Sequence, residues 1–436
     1  MQTCCLTVLL SLAASAAGAV ETPRPLEGLT DAQRREFEKG EKLFLTVWAP
    51  APAPAGVRDG LGPFYHAASC VACHPGGGRG LSPDGKEPGN GLVFRLGTKD
   101  DDLLDEYGSQ LSPLAVAGVK PEGSIRITWR MDRGTFPDGA AWSLRTPSYA
   151  AQDWQYGPVP EGVKFSPRMA PALFGSGLLE AVPQKSLQAL ADPDDRNGDG
   201  ISGRLNLEDT WEGYDATVSV AGRFGWKAWM PTLLRQVCGA LGEDMGVTNV
   251  FQPHDMTPAQ SEILEDHARG GHGTLFEAGG RDPDLLAAYV RMLAPPSRRD
   301  LEKPAAEQGA SVFERLHCAV CHAPELKTGS VRGVKPLSDQ TIHPFTDLLL
   351  HDMGPALADG RPEAIAAGNE WRTAPLWGLA AAVNESGAGL FLHDGRARSL
   401  EEAILWHGGE AEKSRDAYKA LLPAERAALL GWLRSL

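Results

Sequence analysis

The chain has 436 residues, with 56 acidic against 42 basic side chains and a formal net charge of −14. That balance excludes nucleic acid as a natural partner, because phosphates need a basic surface. Gly 50 and Pro 33 predict long irregular connections, and no stretch after the N-terminus is apolar enough to span a bilayer.

Met1–Val20 carries a short apolar run (Leu6, Val8, Leu9, Leu10, Leu12) and closes on Ala17-Gly18-Ala19. This reads as an export signal over residues 1–19, cleaved near Ala19, although no Lys or Arg precedes Arg24. The expected location is the periplasm. Roughly 415 residues remain, enough for two or three domains. Thr30–Trp48 reads as a helix capped by Asp31, with Phe37, Leu43 and Phe44 near helical spacing. The run Ala49–Pro54 alternates Ala with Pro and predicts a stiff extended linker.

Cys70-Val71-Ala72-Cys73-His74 follows, and Cys318-Ala319-Val320-Cys321-His322 repeats its spacing. In a helical turn, cysteines three apart share a face, so both thiols can add to the vinyl groups of one haem. The next residue, histidine, then offers a nitrogen to the iron. Zinc would need a second Cys/His pair nearby, and neither motif has one. A redox Cys-x-x-Cys pair leaves the two histidines unexplained. Two covalently bound c-type haems are therefore expected, on Cys70, Cys73, His74 and on Cys318, Cys321, His322. Cys4 and Cys5 lie in the leader, so Cys238 alone is left and no disulfide framework is possible.

Between the motifs, Asp195-Arg196-Asn197-Gly198-Asp199-Gly200 matches half of a calcium loop. Asp195, Asn197, Asp199 and the Ile201 carbonyl would supply ligands, but Asn206 stands where a bidentate Glu is usual. An Asp/Asn/Gly turn without an ion is the alternative. Gln308–Leu316 forms a Gly-x-x-x-Phe helix ahead of the second motif, as Gly40–Phe44 does ahead of the first. Ser399–Leu405 and Pro423–Leu436 close the chain as helices. The expected fold is mainly α. Two cytochrome c-like haem modules, residues 20–150 and 301–436, flank a loop-rich region over 151–300.

The ordered blocks Asp59–Pro63, Arg168–Leu173, Gly177–Glu180, Gly222–Ala228, Thr346–Gly354, Glu370–Trp377, Phe391–Gly395 and Leu400–Ala403 carry a further signal. Together they resemble the di-haem oxidoreductase (thiol oxidoreductase) family, related to bacterial di-haem cytochrome c peroxidases. That resemblance implies a six-coordinate C-terminal haem that relays electrons and an N-terminal haem that meets a small oxidant such as hydrogen peroxide. His407 stands where those peroxidases place an axial methionine, which implies ligation by His322 and His407; a surface histidine at a helix end is the alternative. No histidine occurs between His74 and His254, so the first haem is open or is closed by His254, His267 or His272. Glu180, in an apolar setting, is the candidate acid, with Arg168 as a second catalytic candidate; a Glu180 that caps, or pairs with an arginine such as Arg168, is the alternative, and Arg372 resembles an arginine that pairs with a haem propionate. Trp226 and Trp229 are candidates for a place between the haems. His351 and His393 read as structural histidines that Asp352 or Asp394 could orient. A di-haem electron carrier or sensor, or an oxidase of thiols or a partner protein, stays open beside the peroxidase reading. A redox protein is the expected electron donor.

Overall fold

The computed structural model describes residues 23–80, 91–98, 104–208, 219–264, 276–383 and 388–436. The proposed leader with its cleavage point near Ala19 lies outside the described residues, as do His267 and His272.

Among the helices of the described residues, six position the two motifs. α1 (Asp31–Leu45) begins with a reciprocal cap: Thr30 Oγ1 accepts from Gln33 N, and the Gln33 side chain accepts from Thr30 N. Thr30, not the expected Asp31, is thus the cap, and such a cap stabilises a helix by roughly 1 kcal/mol. α2 (Leu233–Met245) is capped by Thr232 and ends at Gly246 in the left-handed conformation. α3 (Asp282–Met292) receives α1: Phe37 and Phe44 pack on Tyr289 with ring centroids 4.9 and 5.1 Å away. Gly40 lies between them, where a Cβ would fall 2.1 Å from the Leu285 carbonyl oxygen. The arrangement recurs in α4 (Lys303–Arg315), which precedes the short α5 (Leu400–Trp406) and crosses α6 (Pro423–Leu433). There Phe313 lies 4.8 Å from Trp432, and a Cβ on Gly309 would fall 2.2 Å from the Trp432 Cβ. Each Gly-x-x-x-Phe helix therefore crosses a later helix at its glycine. The first unit closes only with α3, so its packing runs well past residue 150.

The mainly-α expectation is corrected by the strands, since the fold is mixed, 31% helical and 21% strand, with several small sheets. β1 (Leu92–Gly97), β2 (Ser124–Thr135), β3 (Ala141–Gln152) and β4 (Lys164–Met169) carry most of that content. β2 and β3 form a twelve-residue antiparallel hairpin in which Ile125 and Ile127 point inward while Arg126 and Thr128 face solvent. β1 pairs antiparallel with β4, from Leu92 opposite Met169 to Gly97 opposite Lys164. The short β5 (Leu350–Asp352) and β6 (Glu370–Arg372) pair beside the second motif. Apolar cores fill the spaces between. The first unites α1, α2 and α3 with Leu326, Leu337 and Leu348, and the second joins Phe136 and Trp226 to α4, α5 and α6. A third lies around β1, β2 and β4. Segments distant in sequence thus share cores, which brings the two motifs against one interior.

Candidate redox centre

Cys70–Cys73 forms one helical turn, and its motif opens on a cavity partly open to solvent. His74 Nδ1 lies 2.9 Å from the Pro171 carbonyl oxygen, so Nδ1–H donates there and Nε2 is left free of its proton. Burial pushes the His74 pKa down, which keeps the ring neutral, the state a metal needs. α2 supplies one wall through Leu233, Gln236, Val237, Ala240, Leu241 and Asp244, a stripe at helical spacing. Two members of that stripe are polar. The Gln236 Oε1 is sealed from solvent without a hydrogen-bond partner. Asp244 Oδ1 accepts from Gln110 Nε2 at 2.8 Å, and burial pushes this carboxyl up to about 6.

Glu180 takes the capping and arginine-paired alternative, with Arg291 in place of Arg168. Glu180 accepts from Arg291 at 2.5 and 3.2 Å and from Leu233 N at 2.8 Å, so it caps α2 and does not line the cavity. Its acid group is committed to an ion pair and a helix end. Arg168 does line the cavity, but it pairs with Glu363 at 3.0 Å and Asp359 at 3.6 Å. Exposed His254 is not in the lining either, so among the described residues His74 is the first cavity's one histidine.

The second motif opens on a cavity of its own, also partly open to solvent. His322 Nδ1 donates to the Phe345 carbonyl oxygen at 3.0 Å and His407 Nδ1 to that of Ala403 at 2.7 Å. Both rings therefore present Nε2, and their centroids stand 6.5 Å apart. An iron bonded at ~2 Å to a nitrogen of each ring would set the centroids about 6 Å apart, so the gap fits one metal. Burial pushes both imidazoles down, His322 to about 4. At the edge of this cavity His351 bridges two carboxylates, with Nε2 2.9 Å from Asp347 Oδ2 and Nδ1 2.7 Å from Glu410 Oε2. Ligand atoms of Cys321, Asp347 and His351 lie within 4.8 Å of one another, but Cys321 belongs to the motif. His393 also lines the cavity, stacked on Trp371 with centroids 3.7 Å apart, and burial pushes it down to about 3.

Trp226, Arg79 and Arg372 line both cavities. Trp226 donates from Nε1 to the Met169 carbonyl at 2.7 Å, and the Arg79 guanidinium lies 5.5 Å from its ring centre. Trp229 reaches only the first cavity. Arg372 donates to the carbonyls of Gly225 and Thr373, and Arg79 to that of Leu392, while the Arg79 Nε is sealed without a partner. Neither arginine meets a carboxylate among the described residues, and burial pushes both down to about 10. Other buried arginines are paired: Arg95 with Glu243, Arg396 with Asp394, Arg426 with Asp138. Among the described residues no carboxylate pairs directly with either cation, although Asp347 favours the charge of Arg372 from further off, so the shared wall suits anionic groups.

The candidate calcium loop closes on itself. Gly200 N donates to Asp195, Asp199 N to Asn197 Oδ1 and Ile201 N to Asp199 Oδ1. Asn206 is buried and bonds the carbonyls of Lys227 and Glu363, away from any ion position, while the Ile201 side chain reaches the second cavity.

The residues present fit haem. Two thiol pairs, three histidines with Nδ1 tied to carbonyls, and two cavity-lining arginines without a carboxylate partner among the described residues make that case. Such a fold and site define a di-haem redox protein. The chain belongs to the di-haem oxidoreductase family ("Di-haem oxidoreductase, putative peroxidase"), matched over residues 134–436, a span that holds the second motif but not the first. No curated protein matches it. Among solved structures, hydrazine synthase from Kuenenia stuttgartiensis, pressurised with xenon, aligns over 100% of both chains at 15% identity. Its TM-score is 0.39, too low to carry an argument.

Sequence reasoning missed Arg79, Asp244, Gln236 and the His351 bridge. The α2 stripe was findable, since two polar residues interrupt an otherwise apolar helical face. Nothing in the sequence marks Arg79 as unpaired.

Proposed function

We propose that the protein is an exported enzyme with two covalently attached haems. It would take electrons from a redox protein at its second cavity, pass them across the Trp226 wall, and reduce a small oxidant in the first. Hydrogen peroxide is the default substrate. One observation carries this reading: the cavities differ. The second holds two histidines whose rings stand 6.5 Å apart, His322 and His407, whereas among the described residues His74 is the one histidine lining the first, whose wall also carries Gln236 and Asp244. A pair of haems supplies one-electron chemistry and, where one side of the iron is unligated, a place for an oxidant.

The chain's own residues then have distinct tasks. Cys70, Cys73, Cys318 and Cys321 would anchor the groups, and His74, His322 and His407 would hold the irons. Arg79 and Arg372 would neutralise haem carboxylates at the shared wall, which orients both groups toward it. Asp244, whose buried carboxyl still carries a proton near pH 6, can donate to an oxygen of the substrate, and the Gln236 amide can hold that substrate by hydrogen bonds. Export is supported by the leader-like pattern of residues 1–19, an apolar run closing on Ala17-Gly18-Ala19.

Optical and EPR spectra of the purified, haem-loaded protein test the reading. The expected result is one low-spin haem and one high-spin haem that responds to peroxide. Two low-spin haems indifferent to peroxide, oxidised or half-reduced, would make the protein a carrier.

A further inference from the structure

We infer that His351 is a positioning residue, the strut that keeps His407 against the second haem. The inference rests on the proposed ligation by His322 and His407. The segment Phe345–Asp347 grips the attachment side of the cavity, because Phe345 O accepts from His322 and Asp347 N donates to Cys321 O at 3.0 Å. The segment after His407 carries Glu410. His351, buried on β5, bonds both at once: Asp347 through Nε2 and Glu410 through Nδ1. Two carboxylates on two ring nitrogens require two N–H groups, so the ring is a cation between two anions. Glu410 has no slack, since its Oε1 also accepts from Ser202 Oγ at 2.8 Å and from Asp352 N at 3.2 Å.

The consequence is mechanical. One imidazolium links the segment holding one axial histidine to the segment that follows the other, around the cavity edge. Buried charge pairs add little net stability, yet losing one member leaves unpaired charges that repel. Without the His351 cation, Asp347 and Glu410 would face each other as like charges, and the loop from His407 to Ala411 would be driven outward. A histidine on that loop leaves the metal more readily, and an external ligand can then bind.

The test uses haem-loaded His351→Ala, Glu410→Ala and Glu410→Gln, with His407→Ala in parallel and haem content checking assembly. EPR and carbon monoxide binding to the reduced protein report the second haem. The Ala variants at 351 and 410 should gain high-spin signal there and bind carbon monoxide about tenfold more tightly, the scale of one charge-assisted contact. Glu410→Gln, which keeps an acceptor for Nδ1–H, should stay near the parent. Low-spin, carbon monoxide-refusing second haems in both Ala variants, alongside a high-spin His407→Ala, would overturn the strut. A His407→Ala protein that stays low-spin would instead remove the ligation on which the strut rests.

Discussion

Asp244 is a carboxyl in a cavity without an ion partner, held up to about 6 by burial. Because the folded value lies above the unfolded one of about 3.9, ionising it opposes folding. Stability held below about pH 4 is therefore lost as pH rises toward 6, and Asp244→Asn should remove that part of the decline in a thermal-melt series. The same variant should slow reaction with peroxide by about 10² and erase a break near pH 6 in the rate, since a positioned proton donor contributes 10²–10⁴. An unchanged pH profile would take Asp244 out of the chemistry. At this scale the sequence was partly legible. The motifs declare Cys70, His74, Cys318 and His322 by spacing, and His407 follows from counting along a resembling block. Asp244 and Arg79 escape because a charged letter does not reveal whether it is buried or which partner it has. At Glu180 the apolar neighbours suggested a desolvated acid, and the alternative of a capping, arginine-paired carboxylate is the one that Arg291 and the start of α2 bring about.

Helix crossings set where the motifs sit. Gly309 brings α4 onto α6, and its missing Cβ leaves room for Trp432. Gly309→Ala should lower the melting temperature of the haem-loaded protein, an overpacking cost of ~1–3 kcal/mol. Gly431, also in α6, has open space where a Cβ would go, so Gly431→Ala should raise stability by roughly 0.4–1 kcal/mol. Equal effects from the two would mean that the crossing is not tight. The helices ahead of the two motifs were readable because Phe37, Phe44, Val312 and Phe313 recur at a helical period with a cap or Pro ahead, whereas α2 and α3 were not read. The strands were not read. Ser124-Ile125-Arg126-Ile127-Thr128-Trp129 alternates cleanly, but the chain's high Gly and Pro content pointed to loop at large, and the pairing of β1 with β4 joins residues some seventy apart. The loop at Asp195–Ile201 belongs to this scale too. Calcium proposed there predicts about 2.7 kcal/mol of added stability at an ion concentration near 100 Kd. A melting curve indifferent to chelator would leave it a hydrogen-bonded turn.

At the scale of the whole molecule, two cavities share one wall and the surface carries net charge −14. A basic donor would be steered to such a surface, so its second-order reduction rate should fall as salt rises. Past that encounter, transfer depends on what fills the wall. Trp226 is held there by its bond to Met169 O, with Arg79 over its ring and Arg372 donating to the neighbouring Gly225 carbonyl. A tryptophan cation beside two buried guanidinium groups is electrostatically penalised. The ring should therefore serve as packed medium between the two cavities and not as a site where charge rests. The two ideas separate by substitution. Trp226→Phe keeps most of the packing but is much harder to oxidise, whereas Trp226→Ala opens a void. If the ring is medium, flash or stopped-flow measurement of electron transfer between the haems should show Phe near the parent and Ala slower by about tenfold or more, the cost of ~1.4 kcal/mol in barrier. A Phe variant as slow as Ala would mean that electrons pause on Trp226 despite its cationic neighbours, and that Arg79 and Arg372 have their charge cancelled by the groups they bind.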